Sequence, residues 1–354
     1  MVDLDSTTSC YQGLGMKVVF FHRKPKLNNF SVEGTFQVIR EAMPSEVECT
    51  VVQSRFDSSG LFKRLYNIVE AAFHQKEVNH ITGDVHFLSY LLVRKNTLLT
   101  ILDCVVVYNA SGLKRYLLRL FWYVIPEKRV KLISVISQAT KDELIKLISC
   151  DPDKVRVVPV CISPSYIRSD KKFNAEKPRI LQIGTAENKN LKRLVGALQG
   201  IPCHLDIVGK LSQEQEAWLK KGGIEYTNSF MLSEAEIVEK YNECDLVAFA
   251  STYEGFGMPI LEANAVGRPV ITSNLLSMPE VAGDAACIVD PYNISEIRSG
   301  ILRIINDQSY RESLTENGFV NARRYDPAEV ARQYLDLYKE LSDGGSSERK
   351  RALE

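Results

Sequence analysis

The segment "DLVAFASTYEGFGMPILEANAVGRPVITS" (residues 245–273) decides the predicted fold. An apolar run is followed by a glycine-containing loop, a helix-like stretch and a second apolar run, the order expected in a parallel sheet. Gly255 and Gly257 permit close approach of the backbone to a ligand, and Pro259 suits a first helical turn. Because free amides at a helix start favour an anion, the segment predicts a phosphate-binding site.

The same alternation of apolar runs and helix-period segments extends along the chain in two successive sets. The first set predicts strands at 17–21, 49–53, 78–82, 97–102, 131–137 and 155–160. The second set predicts strands at 179–184, 204–209, 224–228, 245–250, 269–273 and 286–290. Strands that alternate with helices form parallel sheets, so we expect an α/β protein with two Rossmann-like domains facing an interdomain cleft.

The charged, proline-containing stretch at 167–178 separates the two sets and marks the predicted domain boundary. We expect the helical pattern at 329–342 to follow the second domain and to pack back on the first. Residues 1–15 are interpreted as a leader or cloning remnant, and residues 343–354 as a disordered tail. The expected domains are an N-terminal domain at 16–165 and a C-terminal domain at 166–328.

Length and composition narrow the classes of function. A chain of 354 residues is long enough for two domains, and its 44 basic and 44 acidic residues provide no overall field that would attract nucleic acid. The 8 cysteines show no C-x-x-C spacing, which argues against a zinc site or a disulfide framework and favours a cytoplasmic location. No apolar run reaches the roughly 18 residues of a membrane span.

Two glutamates frame the glycine-containing loop. Glu254 lies in the loop, and Glu262 is expected in the first turn of the helix, where it would either cap the helix dipole or accept hydrogen bonds from ribose hydroxyls. The pairing of both carboxylates in one cleft favours the functional interpretation. A nicotinamide-dinucleotide site is disfavoured, because the glycine fingerprint would need glycine where the chain has Ile260.

Two further candidates follow predicted strands. Lys189 lies beyond the strand that ends at Gly184, where an ammonium can neutralise a departing diphosphate; the alternative is a solvated surface lysine. Asp103 ends the strand at 97–102, where α/β enzymes place catalytic groups, although aspartate is also a common turn former.

Two other segments contain charged residues in patterns that can form binding sites. Asp151 and Asp153 flank Pro152 in what reads as an exposed turn, so we reject a metal site there and expect neither a metal nor a cofactor. The segment 113–131 mixes basic and aromatic residues, which fits either a core helix with solvated charges or peripheral contact with a membrane.

Several stretches of the sequence resemble a known family. The stretches "YEGFGMPILEANAVGRPVITSN" (253–274) and "MPEVAGDAACIVDP" (278–291), with the Glu254-x7-Glu262 spacing, are similar to the donor-binding region of retaining glycosyltransferases of the GT-B fold, family 4 (glycosyl transferases group 1). The stretch "ILQIGTAENKNL" (180–191) matches as well. The resemblance covers roughly residues 16–342, and it is stronger in the second domain than in the first.

The resemblance implies roles for the candidate residues. The second domain would bind a nucleotide-diphosphate sugar, with Glu262 on the ribose, Glu254 on the donor sugar and Lys189 on the diphosphate, while the first domain would bind the acceptor. Family members retain the anomeric configuration by front-face attack without a bound metal, and the leaving phosphate helps to deprotonate the acceptor. The other residues expected at the donor are Gly184, Thr185, Phe256, Gly257 and Met258.

Two departures from the family pattern stand out. Many members carry an arginine near the lysine, where this chain has Thr185 or Asn188, so the diphosphate would be met by Lys189 alone or with Lys192 or Arg193. The family often has His-Asp at the end of the first-domain strand, where this chain has Leu102 followed by Asp103.

The primary hypothesis is therefore a glycosyltransferase, with a hexose the expected sugar, that acts on a glycan, a lipid-linked sugar or a protein. A catalytically impaired protein that binds nucleotide sugars or glycans is the alternative suggested by Leu102 and Thr185. A nucleotide-sugar epimerase on the same scaffold is a further alternative.

Overall fold

The computed structural model describes residues 15–24 and 31–351, so most of the predicted leader and the last three residues lie outside the described part of the chain. The first domain contains a parallel six-stranded sheet with the order β2-β1-β3-β4-β5-β6. Its strands are β1 (Met16–His22), β2 (Val47–Gln53), β3 (Val78–Ile81), β4 (Thr97–Ile101), β5 (Leu132–Val135) and β6 (Val155–Val157).

Helices cover both faces of this first sheet. They are α1 (Ser31–Glu41), α2 (Leu61–Phe73), α3 (Val105–Tyr108), α4 (Gly112–Arg119), α5 (Ile125–Arg129) and α6 (Gln138–Ile148). A π-helical segment, Leu120–Val124, joins α4 to α5, and 3₁₀ turns occupy His86–Tyr90, Arg94–Asn96 and Pro152–Lys154. The inner strands are buried on both faces, which explains why they read as continuous apolar runs.

The second domain contains a second parallel six-stranded sheet, with the order β12-β11-β10-β7-β8-β9. Its strands are β7 (Arg179–Ile183), β8 (His204–Val208), β9 (Glu225–Ser229), β10 (Leu246–Phe249), β11 (Val270–Ser273) and β12 (Cys287–Val289). Its helices are α7 (Leu191–Leu198), α8 (Gln213–Gly222), α9 (Glu234–Glu243), α10 (Met258–Val266), α11 (Met278–Ala282), α12 (Ile294–Asn306) and α13 (Gln308–Arg323). The two-domain α/β architecture is confirmed, with every predicted strand present.

The second sheet has a topological switch point between β7 and β10. These strands pair through Ile180 with Leu246 and through Leu181 with Val247, and the chain leaves them in opposite directions along the sheet. Ligands in open α/β sheets bind beyond the carboxyl ends of the strands at such a point. The fold therefore directs attention to the loops that follow β7 and β10.

The last helix, α14 (Pro327–Arg351), returns to the first domain. Its buried Tyr334 and Tyr338 pack with Phe20 and Phe36 on one face of the first sheet. The Tyr338 hydroxyl also lies 2.8 Å from His80 Nδ1, in the middle of that sheet. The helical backbone extends through Arg351, nine residues past the helical pattern expected from the sequence.

Local signals in the sequence account for several helix ends. Ser212 and Ser233 each accept a hydrogen bond from an amide three residues later, and Gln215 and Glu236 complete the two capping boxes. Gly267 ends α10 with a φ of 82°, a left-handed conformation that glycine adopts without strain.

Candidate active site

The candidate site lies where the chain leaves β7 and β10. Lys189 Nζ donates to Glu254 Oε1 over 2.6 Å, and both side chains are largely shielded from solvent. The ammonium also lies 4.8 Å from the ring centroid of Phe249 in β10, a cation–π contact. The structure thus brings together two predicted site residues that are 65 positions apart in the sequence.

Gly184 makes room for the stem of Lys189. Its φ is 89°, and a Cβ atom at this position would lie 3.0 Å from Lys189 Cε and Cγ. The neighbouring Thr185 is held by the next loop, because its hydroxyl donates to Lys210 O over 2.8 Å and its carbonyl accepts from Gln215 Nε2. Gly184 therefore positions Lys189, whereas the Thr185 side chain stabilises the turn through its hydrogen bond to Lys210 O.

Asn188 ties the two loops together. Its side-chain amide donates to Tyr253 O over 2.8 Å and to Glu254 Oε1 over 3.3 Å. Its own carbonyl accepts from Thr252 N over 2.8 Å. Asn188, one of the two positions considered for the missing arginine, thus orients the Glu254 carboxylate.

The Ser277 hydroxyl orients the glycine-containing loop. Ser277 Oγ donates to the carbonyls of Glu254 and Phe256 over 3.0 and 2.7 Å. The Phe256 side chain is buried against Tyr325, with the two rings edge to face at 5.7 Å between centroids.

Gly257, with a φ of 119°, precedes α10. Pro259 has no N–H and Ile260 N donates to Gly257 O over 3.0 Å, so the open amide in this turn is that of Met258.

Glu262 lies deeper in α10 than expected. The first turn of α10 contains no acidic residue, so the helix-capping interpretation of Glu262 is wrong. The Tyr241 hydroxyl donates to Glu262 Oε2 over 2.5 Å, and Tyr166 provides a second hydrogen bond. Burial raises the pKa of this carboxyl to about 7, which the two tyrosines partly oppose.

Asp103 faces the same cleft from the first domain. It follows β4, and its carboxylate accepts from Val105 N over 3.0 Å. Burial raises the pKa of Asp103, and the nearby Asp84 adds to this effect. Asp103 and Glu254 line one cavity of about 680 Å³, here called the cleft cavity.

The cleft cavity also contains Tyr292, which the sequence did not single out, and one of the two cations considered beside Lys189. The Arg193 guanidinium lines the cavity beside the ring of Tyr292, at 5.0 Å from its centroid. Lys192, by contrast, lies over the ring of Trp218 at 5.2 Å. Of the two cations that the sequence offered beside Lys189, the structure thus places Arg193 at the cavity.

The two domains meet at the glycine-containing loop. Ser137 Oγ donates to Gly255 O over 2.9 Å, and Tyr253 donates to Glu143 over 3.0 Å. A Cβ atom on Gly255 would lie 2.7 Å from Leu102 O. The Leu102 side chain itself packs against an apolar cluster formed mainly by the second domain. Leu102, which stands where family members often have histidine, thus packs between the two domains.

Two alternative sites are not favoured by the geometry. Asp151 accepts from Asp153 N over 2.9 Å and caps a 3₁₀ turn, and the described residues include no group of three or more potential ligands arranged for a metal ion. A second cavity, of about 400 Å³, lies around Asp245 and Arg268. Its charged groups stabilise the fold. Lys171 pairs with Asp245, and Arg268 donates to Ser169 O and to another backbone carbonyl.

Comparisons with known proteins show which sequences and folds this chain is similar to. The family model of the glycosyl transferases group 1 matches residues 165–320. The chain is 31% identical over 239 residues to O-antigen chain mannosyltransferase B of Escherichia coli, covering 60% of this chain and 61% of that protein. It is 25% identical over 218 residues to MMP alpha-(1->4)-mannosyltransferase of Mycolicibacterium hassiacum, covering 56% and 52%. The matches thus span less than two thirds of the length of either relative.

The fold is also that of solved glycosyltransferase structures. HepE of Anabaena, solved in complex with UDP and glucose, superposes with a TM-score of 0.74 at 15% identity, covering 92% of this chain and 99% of that one. At this identity the superposition establishes the shared fold alone. The chain therefore has the two-domain GT-B fold, and its residues 165–320 match the model of the glycosyl transferases group 1 family.

Proposed function

We propose that the protein is a retaining, metal-independent hexosyltransferase that moves a sugar from a nucleotide-diphosphate sugar to an acceptor hydroxyl. The observation that carries the proposal is the contact between Lys189 and Glu254, at the switch point of the second sheet and opposite Asp103. An ammonium, a carboxylate and the open Met258 amide at one sheet edge suit a ligand with a diphosphate and a sugar.

The diphosphate would lie between Lys189 and Arg193. In the absence of a donor the Lys189 ammonium pairs with Glu254, so a bound diphosphate would compete for this ammonium and free the carboxylate for the sugar hydroxyls. The Arg193 guanidinium would supply the second cation, since the family arginine is absent here. Positive charge that is fixed in place before reaction stabilises the departing diphosphate.

The proposed transfer needs no covalent intermediate with the protein. The bond between sugar C1 and the phosphate oxygen breaks, and the acceptor oxygen bonds to C1 on the same face of the ring. The acceptor proton passes to the departing phosphate oxygen. Lys189 would stabilise the negative charge on that phosphate, while Asp103 and Glu254 would orient the sugar.

Glu262 would hold the donor ribose. Its carboxylate already accepts the Tyr241 hydroxyl, and an ionised carboxylate has further lone pairs for ribose hydroxyls. Tyr241 and Tyr166 would thus fix the direction of the carboxylate from the side away from the ligand.

A mannosyl donor is the first choice to test, because both curated relatives are named as mannosyltransferases. The acceptor would be a glycan, a lipid-linked sugar or a protein, bound by the first domain. A cytoplasmic location and membrane contact through 113–131 remain predictions.

A second candidate is a protein that binds nucleotide sugars or glycans and transfers them poorly. The observation that favours it is Leu102, whose apolar packing provides no imidazole near the donor sugar. An epimerase would share the donor site but would need no acceptor.

Donor binding can be tested by a thermal-shift screen of uridine, guanosine and adenosine diphosphate sugars, mannosyl donors included. A ligand that binds only the folded state at about 100 times its Kd stabilises that state by about 2.7 kcal/mol, so a true donor raises the Tm measurably. The Lys189→Met variant should lose this shift, whereas Lys192→Met should keep it. Equal shifts in both variants, or no shift with any donor, would argue against the proposal.

A further inference from the structure

Helix α2 presents an apolar face to solvent. Its buried positions are Asn67, Ile68 and Ala71, which face the first sheet. A surface helix normally carries polar residues on the side opposite its buried stripe. In α2 that side is apolar, and Phe62 and Phe73 are 87% and 84% exposed. The exposed apolar residues of α2 are Leu61, Phe62, Leu65, Tyr66, Val69 and Phe73.

Helix α4 and the π-helical segment that follows it continue this surface. Leu113, Tyr116, Leu117 and Phe121 are all exposed. The two helical segments lie side by side, because Arg64 of α2 stacks over the ring of Trp122 at 4.7 Å. Both pack on one core cluster at the same face of the first sheet. Together they form one apolar surface, here called the α2–α4 face.

The charges around this face are predominantly positive. Lys114 and Arg115 are exposed in α4, which contains no acidic residue, and no ion pair within residues 31–343 involves either of them. The nearby Glu127 is paired with Lys154 over 2.8 Å. Apolar and aromatic side chains beside unpaired cations are the composition of surfaces that lie on anionic membranes.

We propose that the α2–α4 face docks the protein on the interfacial region of an anionic lipid bilayer. Phe62 and Phe73 would enter the acyl boundary, and Lys114 and Arg115 would contact lipid phosphates. A second copy of the chain fits this surface less well, because a twofold interface through α4 would bring the cations of both copies together. Within the described ranges, no helix has the length and hydropathy of a transmembrane span.

The docking face adjoins the mouth of the cleft. Arg115 of α4 stacks over the ring of Tyr108 at 5.8 Å, and Tyr108 lines the cleft cavity beside Asp103. A docked bilayer would therefore lie next to the entrance of the site. If the proposed function holds, this arrangement favours a lipid-linked acceptor over a soluble one.

Vesicle co-sedimentation of the full chain tests the proposal without donor or acceptor. We expect binding to mixed phosphatidylcholine and phosphatidylglycerol vesicles that is at least about tenfold tighter than to phosphatidylcholine alone and that weakens with added salt. The Phe62→Gln/Phe73→Gln variant should lose at least about tenfold in affinity for either vesicle, since two apolar side chains no longer insert. Lys114→Gln/Arg115→Gln should weaken binding only to the anionic vesicles.

Two controls separate this face from other effects. Phe230→Gln removes an aromatic side chain that is 53% exposed in the second domain and should leave vesicle binding unchanged. Glu254→Gln should also bind vesicles normally, so a failure of the proposed transfer would not affect this test. Circular dichroism of each variant checks that it is folded.

The proposal is overturned if the wild-type chain stays in the supernatant with anionic vesicles, or if Phe62→Gln/Phe73→Gln sediments like wild type. Sedimentation velocity tests whether the α2–α4 face binds a second copy of the chain instead. A wild-type dimer that the same double variant dissociates, without any vesicle binding, would assign the face to a second copy of the chain.

Discussion

Arg193 and Lys192 are neighbours in the sequence, but their side chains reach different parts of the second domain. Arg193 lines the cleft cavity, whereas Lys192 lies over Trp218. A charge-assisted hydrogen bond contributes about 1.5–3 kcal/mol, so we expect Arg193→Ala to raise the donor Kd by about tenfold or more. Isothermal titration with the donor measures this change.

Lys192→Ala is the matched control, because it removes the same charge one position earlier. Its donor Kd should stay within about twofold of wild type, since an exposed charge outside the site contributes little. Equal losses in both variants would show that Arg193 acts only through the general field of the domain.

The pKa of Glu262 gives donor binding a pH dependence. Burial raises this pKa to about 7 in the donor-free protein, so the carboxyl is largely neutral below pH 7 and ionised above it. Ribose hydroxyls donate more strongly to the ionised form, and we therefore expect donor affinity to rise as the pH increases from about 6 to 8. Titrations across this range should show the rise in wild type and a flatter profile in Glu262→Gln; a falling profile would contradict the role.

Part of this site could be predicted because it follows from strand ends. Lys189, Glu254 and Asp103 each come shortly after a predicted strand, and parallel strands bring such positions to one edge. The choice between Lys192 and Arg193 could not be made in this way, since the direction of a helical side chain depends on where the helix begins and how it packs. The depth of Glu262 in α10 was misjudged for the same reason.

At the scale of elements, the turn after β7 sets the position of Lys189. Gly184→Ala would add a Cβ atom 3.0 Å from the lysine stem and would place alanine at a φ of 89°. We expect about 1 kcal/mol lower stability and at least about a tenfold loss in kcat/KM, because the ammonium is displaced.

Gly200→Ala provides the control for backbone strain. Gly200 has a φ of 72°, but no atom lies within 4 Å of an added Cβ. This variant should lose similar stability in urea unfolding and retain its kcat/KM. If both variants lose kcat/KM equally, the loss does not come from the contact between Gly184 and Lys189.

Apolar runs were sufficient to predict the strands, but the helices after β4 depended on tertiary contacts. The segment 113–131 reads from its sequence as one core helix or a membrane contact, whereas the structure has α4, a π-helical segment and α5 there. Pro126 lacks the N–H that would bond to Trp122 O in a regular helix, and His86 Nδ1 donates to this carbonyl instead over 2.7 Å. A partner 36 residues away in the sequence is not visible in local periodicity.

At the scale of the whole molecule, Gly255 allows the two domains to approach. A Cβ atom there would lie 2.7 Å from Leu102 O, a distance that forces the backbone contact apart. We expect Gly255→Ala to keep each domain folded, to increase the radius of gyration in small-angle X-ray scattering and to lower kcat by at least about tenfold. Gly34→Ala, in α1 with open space around it, should change neither quantity.

Turnover with a donor and an acceptor tests the central claim most directly. Mass spectrometry can follow the nucleoside diphosphate and the glycosylated product for wild type and for Glu254→Gln, using the donor identified by thermal shift. We expect equal amounts of both products, a retained anomeric configuration and a kcat at least about 100-fold lower in Glu254→Gln. Absence of both products in wild type, or unchanged turnover in Glu254→Gln, would contradict it.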